Sequence, residues 1–201
     1  VVFRRLSVFT GGFTLDAAEA VCDAVGDVDM DALDGVAALV DNSLVRRARP
    51  LPEELSPAPP ENWDENGQRQ AAGADAPRFM MLETIREYGQ VRLVEAGEVD
   101  AARRAHALFF LALAENAQHQ IDGNRGAAWL DRLNAERDNL RLALDWFQAA
   151  DDERRAEEGL RMASALWRFW YFRGYWTEAR ARLEIFLARA PTPTANRAWA
   201  L

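Results

Sequence analysis

Residues 163–191 read ASALWRFWYFRGYWTEARARLEIFLARAP, and this stretch decides the fold. Apolar residues recur at helical spacing on both sides of Gly174, which is typical of two helices joined by a tight turn. The pattern predicts a helix pair over about residues 157–189, with the second helix folded back on the first. Trp167 and Trp170 share the apolar stripe of the first helix, and we expect both to fill the seam between the helices.

This helix pair resembles a tetratricopeptide repeat, whose unit is two helices of about 34 residues in total. One unit cannot bury both of its faces, so neighbouring helices are expected beside it. Such arrays bind partners along their surface. The resemblance therefore implies an interaction module rather than an active site.

Upstream of the pair, the chain is predicted to be helical back to Thr84. Apolar periodicity favours helices over residues 84–96, 99–120 and 129–149. We place a domain boundary near Gly97 and assign residues 98–201 to a tetratricopeptide-like helical domain, truncated at its C-terminus. Its last residues, with Trp199 and Leu201, are expected to begin an incomplete repeat through which the chain could self-associate.

The first 97 residues have the element order of a winged helix-turn-helix domain. Three predicted helices, the third over about Met30–Val40, precede two strand candidates at residues 43–47 and 78–82. The loop between the strands, residues 48–77, holds six of the eight prolines of the chain and almost no large apolar residue. A loop of this kind is either disordered or functional, and disorder is the better-supported reading. Trp63 is its one candidate docking residue.

Composition narrows the function classes. The 201 residues carry a net charge of −8, which argues against a broad nucleic-acid surface. No run of 18 apolar residues or signal peptide is present, so a cytoplasmic protein without a membrane span is expected. The single cysteine, Cys22, fits a reducing compartment and lies on the apolar side of its helix, where we expect it to be buried and inert.

Direct DNA binding is disfavoured by the charge of the predicted recognition helix. The polar residues in and around this helix are acidic, and it contains no arginine, the next one along the chain being Arg46. Such domains depend on phosphate contacts for much of their affinity. The acidic residues are Asp29, Asp31, Asp34 and Asp41, and the arginines expected on the wing are Arg46, Arg47, Arg49 and Arg78. These arginines could touch one backbone segment, but a protein-packing role is favoured.

No catalytic or metal site is predicted. His106 and His119 are separated by thirteen positions with no cysteine or carboxylate at ligand spacing, and nucleophile motifs are absent. We expect His106 to be exposed or to cap a helix. The chain is therefore not expected to be an enzyme.

The helical half offers a candidate protein-binding groove. Five side chains share the side of the first helix of the pair that faces away from its partner, namely Arg161, Ser164, Arg168, Tyr171 and Phe172. Arginines beside aromatic rings suit acidic peptides or C-terminal carboxylates. The alternative is that this side is buried against the preceding helix, over residues 129–149, and both readings stay open.

Five motifs in order resemble the middle portion of LuxR-type or AfsR-like transcriptional regulators, which are STAND-class signalling ATPases. They are FRRLSVFTGGFTLDAAEAVC at 3–22, LVDNSLV at 39–45, RFMMLETIREYG at 78–89, RRAHALFFLALAE at 103–115 and WLDRLNAERDNLRLALDWF at 129–147. The resemblance implies a winged helix followed by tetratricopeptide-like repeats. It also implies ATP or ADP bound by a nucleotide-binding domain outside this chain, since a chain without lysine cannot form a P-loop. A stand-alone winged-helix DNA-binding factor is the alternative, and an enzyme of unknown type is the third class.

The resemblance points to Met81, Leu82 and Glu83 as a contact to the nucleotide-binding domain. In related proteins a Met-His-Asp triplet at this place senses ADP, and here leucine and glutamate replace the last two residues. Leu82 cannot hydrogen-bond a phosphate, while Glu83 could cap its own helix or meet an arginine of that domain. The alternative makes Leu82 a core residue and Glu83 a capping acid.

Overall fold

The computed structural model describes residues 1–26, 31–48, 77–149 and 152–190. Most of the proline-rich loop, with Arg49 and Trp63, lies outside these ranges. The expected incomplete repeat at residues 195–201 lies outside them as well, as do Asp29 and Met30. Within the described residues the protein is mainly helical, with one small sheet.

The first part of the chain combines helices with a three-stranded antiparallel sheet. Its elements are α1 (Val2–Leu6), β1 (Phe13–Thr14), α2 (Leu15–Ala24), α3 (Ala32–Asp41), β2 (Val45–Arg47) and β3 (Arg78–Met81). The strand order is β1-β3-β2, with Phe13 and Arg47 both opposite Phe79. The predicted pairing of the two later strands is confirmed, whereas β1 was not predicted because two residues are too few to show an alternating pattern.

Side-chain caps fix where α2 and α3 begin. The Thr14 hydroxyl accepts a hydrogen bond from the Ala17 amide, and the Asp31 carboxylate accepts one from the Leu33 amide. Each cap satisfies one of the amides that the first turn of a helix leaves without an internal partner.

The remainder of the described chain is helical. It contains α4 (Glu83–Glu95), α5 (Val99–Gln120), α6 (Gly126–Ala135), α7 (Arg137–Ala149), α8 (Glu153–Arg173) and α9 (Trp176–Arg189). The prediction of one helix over residues 129–149 is wrong, since the chain leaves helical geometry at Glu136, with φ −95° and ψ 7°. This break turns the carboxylate of Glu136 toward the first part of the molecule.

Helices α8 and α9 pack against each other around a left-handed turn at Gly174, with φ 74°. Glycine adopts this conformation without steric cost, so the predicted turn is confirmed. The two helices approach closely at Gly159, where an added methyl group would collide with the ring of Phe186. Of the two tryptophans expected in the seam, Trp170 is 2% exposed but Trp167 is 38% exposed.

The placement of Trp167 in the seam is therefore wrong. Three residues rotate by about 300° around a helix, so Trp167 lies about 60° away from Trp170 around the axis of α8. This offset brings its ring against the exposed Tyr171.

One apolar cluster runs through the described part of the molecule on both sides of Gly97. Phe9 and Phe13 from the first part join Phe110 and Phe147 from the second. Helix α2 packs directly on α5, so the two parts share their core.

Candidate protein-interaction surfaces

Four aromatic side chains form an exposed cluster at the turn between α8 and α9. Tyr171, Phe172 and Trp176 are 52–56% exposed, and Trp167 completes the group. The ring centroid of Tyr171 lies 4.7 Å from that of Trp176 and 5.4 Å from that of Phe172, and both pairs have edge-to-face geometry. We call these four residues the aromatic cluster. Large exposed aromatic residues in contact with one another are typical of binding surfaces, because they offer apolar area at low entropic cost.

The structure separates the five predicted groove residues into two groups. Tyr171 and Phe172 belong to the aromatic cluster, whereas the polar members lie toward α5 and the turn after it. Both Nε and Nη2 of Arg161 donate to Glu115 of α5, at 3.0 and 2.6 Å, and Ser164 is buried. Arg168 forms an ion pair with Asp122.

The two groove arginines therefore already hold a carboxylate each. An acidic ligand would have to displace Glu115 or Asp122, whereas the aromatic cluster is accessible without rearrangement. Both ion pairs are partly exposed, so each contributes little to stability and could be exchanged for another carboxylate.

The residues Met81, Leu82 and Glu83 lie where β3 ends and α4 begins. Leu82 is the residue before the helix and is half exposed, so its reading as a core residue is wrong. Glu83 opens α4 and pairs with Arg86 on the same helix, at 2.9 Å from Nε. The hydrogen bond from Arg86 lowers the pKa of Glu83 below its ordinary value. Glu83 thus has an arginine partner within its own helix.

Helix α4 exposes several apolar side chains on its outer surface, interspersed with Glu87 and Glu95. Gly89 and Leu93 are buried, and a methyl group on Gly89 would lie 2.7 Å from Cβ of Ser7, so α4 sits close on α1. The other side of the helix exposes three large apolar residues, and Leu82 precedes them at the helix start. We call this set the α4 outer surface: Leu82, Tyr88, Val91 and Val94.

The helix predicted to read DNA, α3, is acidic where it is exposed. Asp31, Asp34 and Asp41 all lie at its surface, and α3 contains no basic residue. Arg46 and Arg47 on β2 are exposed. Arg78 turns away from them and forms an ion pair with Glu136 at the break between α6 and α7. The three expected wing arginines that the structure describes are therefore not one patch.

A buried polar group joins the two parts of the chain. Asn139 of α7 is fully buried, and its side chain reaches the loop before β1 through Thr10 and Gly12. His106 lies beside it, with Nε2 3.4 Å from Oδ1 of Asn139. The expectation that His106 is exposed or caps a helix is wrong, because α5 is covered by other helices at this position and His106 is 2% exposed. Burial lowers the pKa of His106 to about 4.

Sequence reasoning missed Glu136 and Asn139. The signal available was the polar sequence Asn134–Asn139 inside a stretch with helical apolar spacing. A break in the helix and an inward-facing amide would both produce such an interruption, and a solvent-exposed face would produce it as well. The sequence alone therefore could not single out these two residues.

Other reactive groups are covered or dispersed. Cys22 is fully buried, as expected, and desolvation raises the pKa of its thiol to about 11. Among the described residues no cluster of three or more histidine, cysteine, aspartate or glutamate side chains has the arrangement of a metal site. Within the same residues, no helix has the length and apolar character needed to span a membrane.

The chain is similar over its whole length to proteins named as HTH-type transcriptional regulators. It is 32% identical over 207 residues to such proteins from Mycobacterium bovis and from two strains of Mycobacterium tuberculosis. The chain spans about a fifth of the length of these relatives, since the match covers 20% of each. No family model and no solved structure matches the chain.

Proposed function

We propose that this chain is a non-catalytic regulatory and protein-interaction segment of a bacterial STAND-type transcriptional regulator. In this role it couples a nucleotide-binding domain to a repeat region that senses a signal, in the cytoplasm. The observation that carries the proposal is the similarity of the entire chain to a fifth of larger proteins named as transcriptional regulators. A segment of this size within a long regulator suits a connecting role.

The fold supports the proposal in both halves. Helices α2 and α3 followed by the β2–β3 hairpin have the order of a winged helix-turn-helix domain. Helices α8 and α9, joined at Gly174, have the form of one tetratricopeptide-like unit. We assign residues 1–97 and 98–201 to these two modules.

The two exposed apolar surfaces are the proposed contact sites. We assign the α4 outer surface, with Met81 and Glu83 at its start, to the nucleotide-binding domain that would bind ATP or ADP in the longer protein. We assign the aromatic cluster to a protein or peptide that delivers the signal. Both surfaces expose large apolar side chains to water. Burying these side chains against a partner lowers the free energy and therefore favours binding.

The coding sequence that flanks this segment tests the proposal first. A nucleotide-binding domain with a P-loop is expected on its N-terminal side, and its absence would overturn the proposal. Calorimetry with ATP and ADP on the present chain should show no binding. Micromolar affinity for either nucleotide would also contradict the assignment of nucleotide binding to another domain.

A binding assay between the present chain and that nucleotide-binding domain then tests the α4 outer surface. Val91→Glu should abolish the interaction without unfolding the chain, because Val91 is more than half exposed. Ala181→Glu on the exposed side of α9 introduces the same charge elsewhere and should leave binding unchanged. Equal binding by both variants would overturn the assignment of this surface.

DNA binding is the second candidate function. The names of the relatives and the exposed pair Arg46 and Arg47 favour it. Fluorescence anisotropy with a labelled DNA duplex at low salt separates the two candidates. Salt-dependent binding that is lost in the Arg46→Glu/Arg47→Glu variant would establish direct DNA contact through β2. No binding at low salt is the result expected for a protein-interaction segment.

A further inference from the structure

The two parts of the chain meet at the loop before β1, where Asn139 of α7 binds two backbone groups. Its Oδ1 accepts a hydrogen bond from the Thr10 amide at 2.9 Å, and its Nδ2 donates to the Gly12 carbonyl at 2.8 Å. The same Nδ2 also donates to Glu136 at 2.8 Å. One fully buried side chain therefore ties the loop to the start of α7.

Arg78 on β3 makes a second connection at the same place. Arg78 forms an ion pair with Glu136, whose side chain is almost completely buried. The Nη2 atom of Arg78 also donates a hydrogen bond to the Gly11 carbonyl at 3.4 Å. The central strand of the sheet and the loop before β1 are thus bound to the same carboxylate and amide of the second part. We call Arg78, Glu136 and Asn139 the polar junction.

The backbone at the junction leaves little room for movement. Gly11 and Gly12 both have positive φ, at 74° and 99°. A methyl group on Gly12 would lie 2.7 Å from the Phe79 carbonyl oxygen, and one on Gly11 would lie 3.2 Å from Oδ2 of Asp138. The loop is therefore closely packed between β3 and α7.

Gly97 is the point at which the backbone passes between the parts, next to Glu98, which Arg4 and Arg5 of α1 bind. Gly97 has φ 69°, and a methyl group placed on it would meet no other atom within 4 Å. The apolar contacts across the shared core are non-directional and would allow the parts to adhere in several orientations. A fully bonded polar group fixes one orientation, because any other would leave buried donors and acceptors without partners.

We propose that the polar junction locks the two parts into one rigid body, so that displacement of α6–α9 turns the sheet and α4 with it. The rigidity is a property of this chain, whereas its use in passing a signal to the nucleotide-binding domain rests on the proposed function. A signal would then travel through a fixed joint rather than through bending at Gly97.

Distances between spin labels on α3 and α9 test this proposal. Cysteines replacing the exposed residues Ala37 and Glu184 can be labelled selectively, because the native Cys22 is fully buried. Pulsed electron–electron double resonance on the chain with only these two substitutions should give one narrow distribution of label-to-label distances. Asn139→Ala should widen it at least twofold while the helical circular dichroism signal is retained. Asn134→Ala, which removes an exposed amide bonded to Tyr175, is the matched control and should leave the distribution narrow.

A narrow distribution in folded Asn139→Ala protein would overturn the proposal. If that variant fails to fold, the double variant Arg78→Ala/Glu136→Gln provides the same test, since it removes the ion pair without leaving Glu136 as a buried unpaired carboxylate. Widening in this double variant supports the junction, and a narrow distribution overturns it. Neither measurement involves a nucleotide or a partner. A narrow distribution would therefore overturn the junction and leave the proposed function intact. Conversely, the absence of a flanking nucleotide-binding domain would overturn the proposed function and leave the junction intact.

Discussion

Arg5, Asn139 and His106 are three of the buried polar side chains among the described residues, and each is compensated in a different way. Arg5 is 1% exposed and donates to the Cys22 carbonyl and to Glu98. Asn139 satisfies its amide with backbone and side-chain partners, while His106 remains uncharged at neutral pH because burial lowers its pKa. Each group avoids the cost of an unpaired buried charge or donor, so removing one partner should cost more than removing an exposed pair.

Replacement of Glu98 should change how stability depends on pH. Hydrogen bonds from Arg4 and Arg5 lower the pKa of Glu98 to about 2, from an ordinary value of 4.5. The contribution of Glu98 to the free energy of unfolding is therefore complete above its pKa in the unfolded chain. That contribution is lost as the pH falls toward its lower pKa in the folded protein. We expect Glu98→Gln to lower the free energy of unfolding by about 1–2 kcal/mol at pH 7. Between about pH 5 and pH 2, the free energy of unfolding should then fall less in this variant than in the unmodified protein.

Urea denaturation at a series of pH values measures this effect. Glu95→Gln is the matched control, because Glu95 pairs with Arg92 on the exposed surface of α4. Its stability profile should follow that of the unmodified protein. Parallel profiles for Glu98→Gln and the unmodified protein would contradict the role of the Arg4 and Arg5 contacts.

The two neighbouring tryptophans of α8 should differ sharply in their contribution to stability. Trp170 is buried and packs in the core, so Trp170→Ala should cost roughly 3–5 kcal/mol. Trp167 belongs to the exposed aromatic cluster, so Trp167→Ala should cost about 1 kcal/mol or less. Chemical denaturation of the two single variants gives the comparison, and equal losses would mean that Trp167 is also a core residue.

The burial of individual side chains was predicted less accurately from the sequence than the helices and strands. Cys22 was expected to be buried because it shares the apolar side of a short helix, and it is. His106 and Trp167 were misplaced because long helices such as α5 and α8 are covered on several sides, and helical spacing identifies one face only. Which further faces are covered depends on neighbours that are distant in sequence.

Elements were predicted better than residues, because local signals set their limits. Gly97 and Gly174 each mark a helix end that the structure places where the spacing indicated. The break at Glu136 carries no proline or glycine, so the sequence 129–149 looks like one helix. The break places Glu136 in an ion pair with Arg78, which is distant in sequence, and only the folded protein provides this contact.

The close packing of α8 on α9 should make Gly159 intolerant of a side chain. Alanine has the higher helix propensity and would stabilise an isolated helix by about 1 kcal/mol. In the protein, its methyl group would collide with the Phe186 ring and force the helices apart. We therefore expect Gly159→Ala to lower the free energy of unfolding by about 1–3 kcal/mol, measured by urea denaturation.

Gly123 provides the control for this substitution. It lies in the turn after α5, and a methyl group there would come no closer than 3.4 Å to the nearest atom, the Gln120 carbonyl oxygen. Gly123→Ala should change stability by less than about 0.5 kcal/mol. A neutral effect of Gly159→Ala would show that α9 can move away without loss of packing.

At the scale of the whole molecule, the described parts share one apolar core across Gly97. Ala17 and Val21 of α2 belong to the same cluster as Phe110 and Leu111 of α5. A boundary near Gly97 separates two element patterns, but each part would expose a large apolar face without the other. This large apolar interface keeps the two parts associated, while the polar junction selects their orientation. Sequence patterns identify modules and cannot show how much surface they bury together.

The two parts should accordingly unfold in one transition, and the chain contains a natural probe for each part. Cys22 is the only cysteine and is buried in α2, while five tryptophans of the described residues lie after Gly97: Trp129, Trp146, Trp167, Trp170 and Trp176. Pulse labelling of the thiol and tryptophan fluorescence across a urea series should give the same midpoint, as expected for all-or-none unfolding. In Asn139→Ala the thiol should become reactive at lower urea than the fluorescence change, because the first part is then held less firmly. Separate midpoints in the unmodified protein would mean that residues on the two sides of Gly97 fold as independent domains.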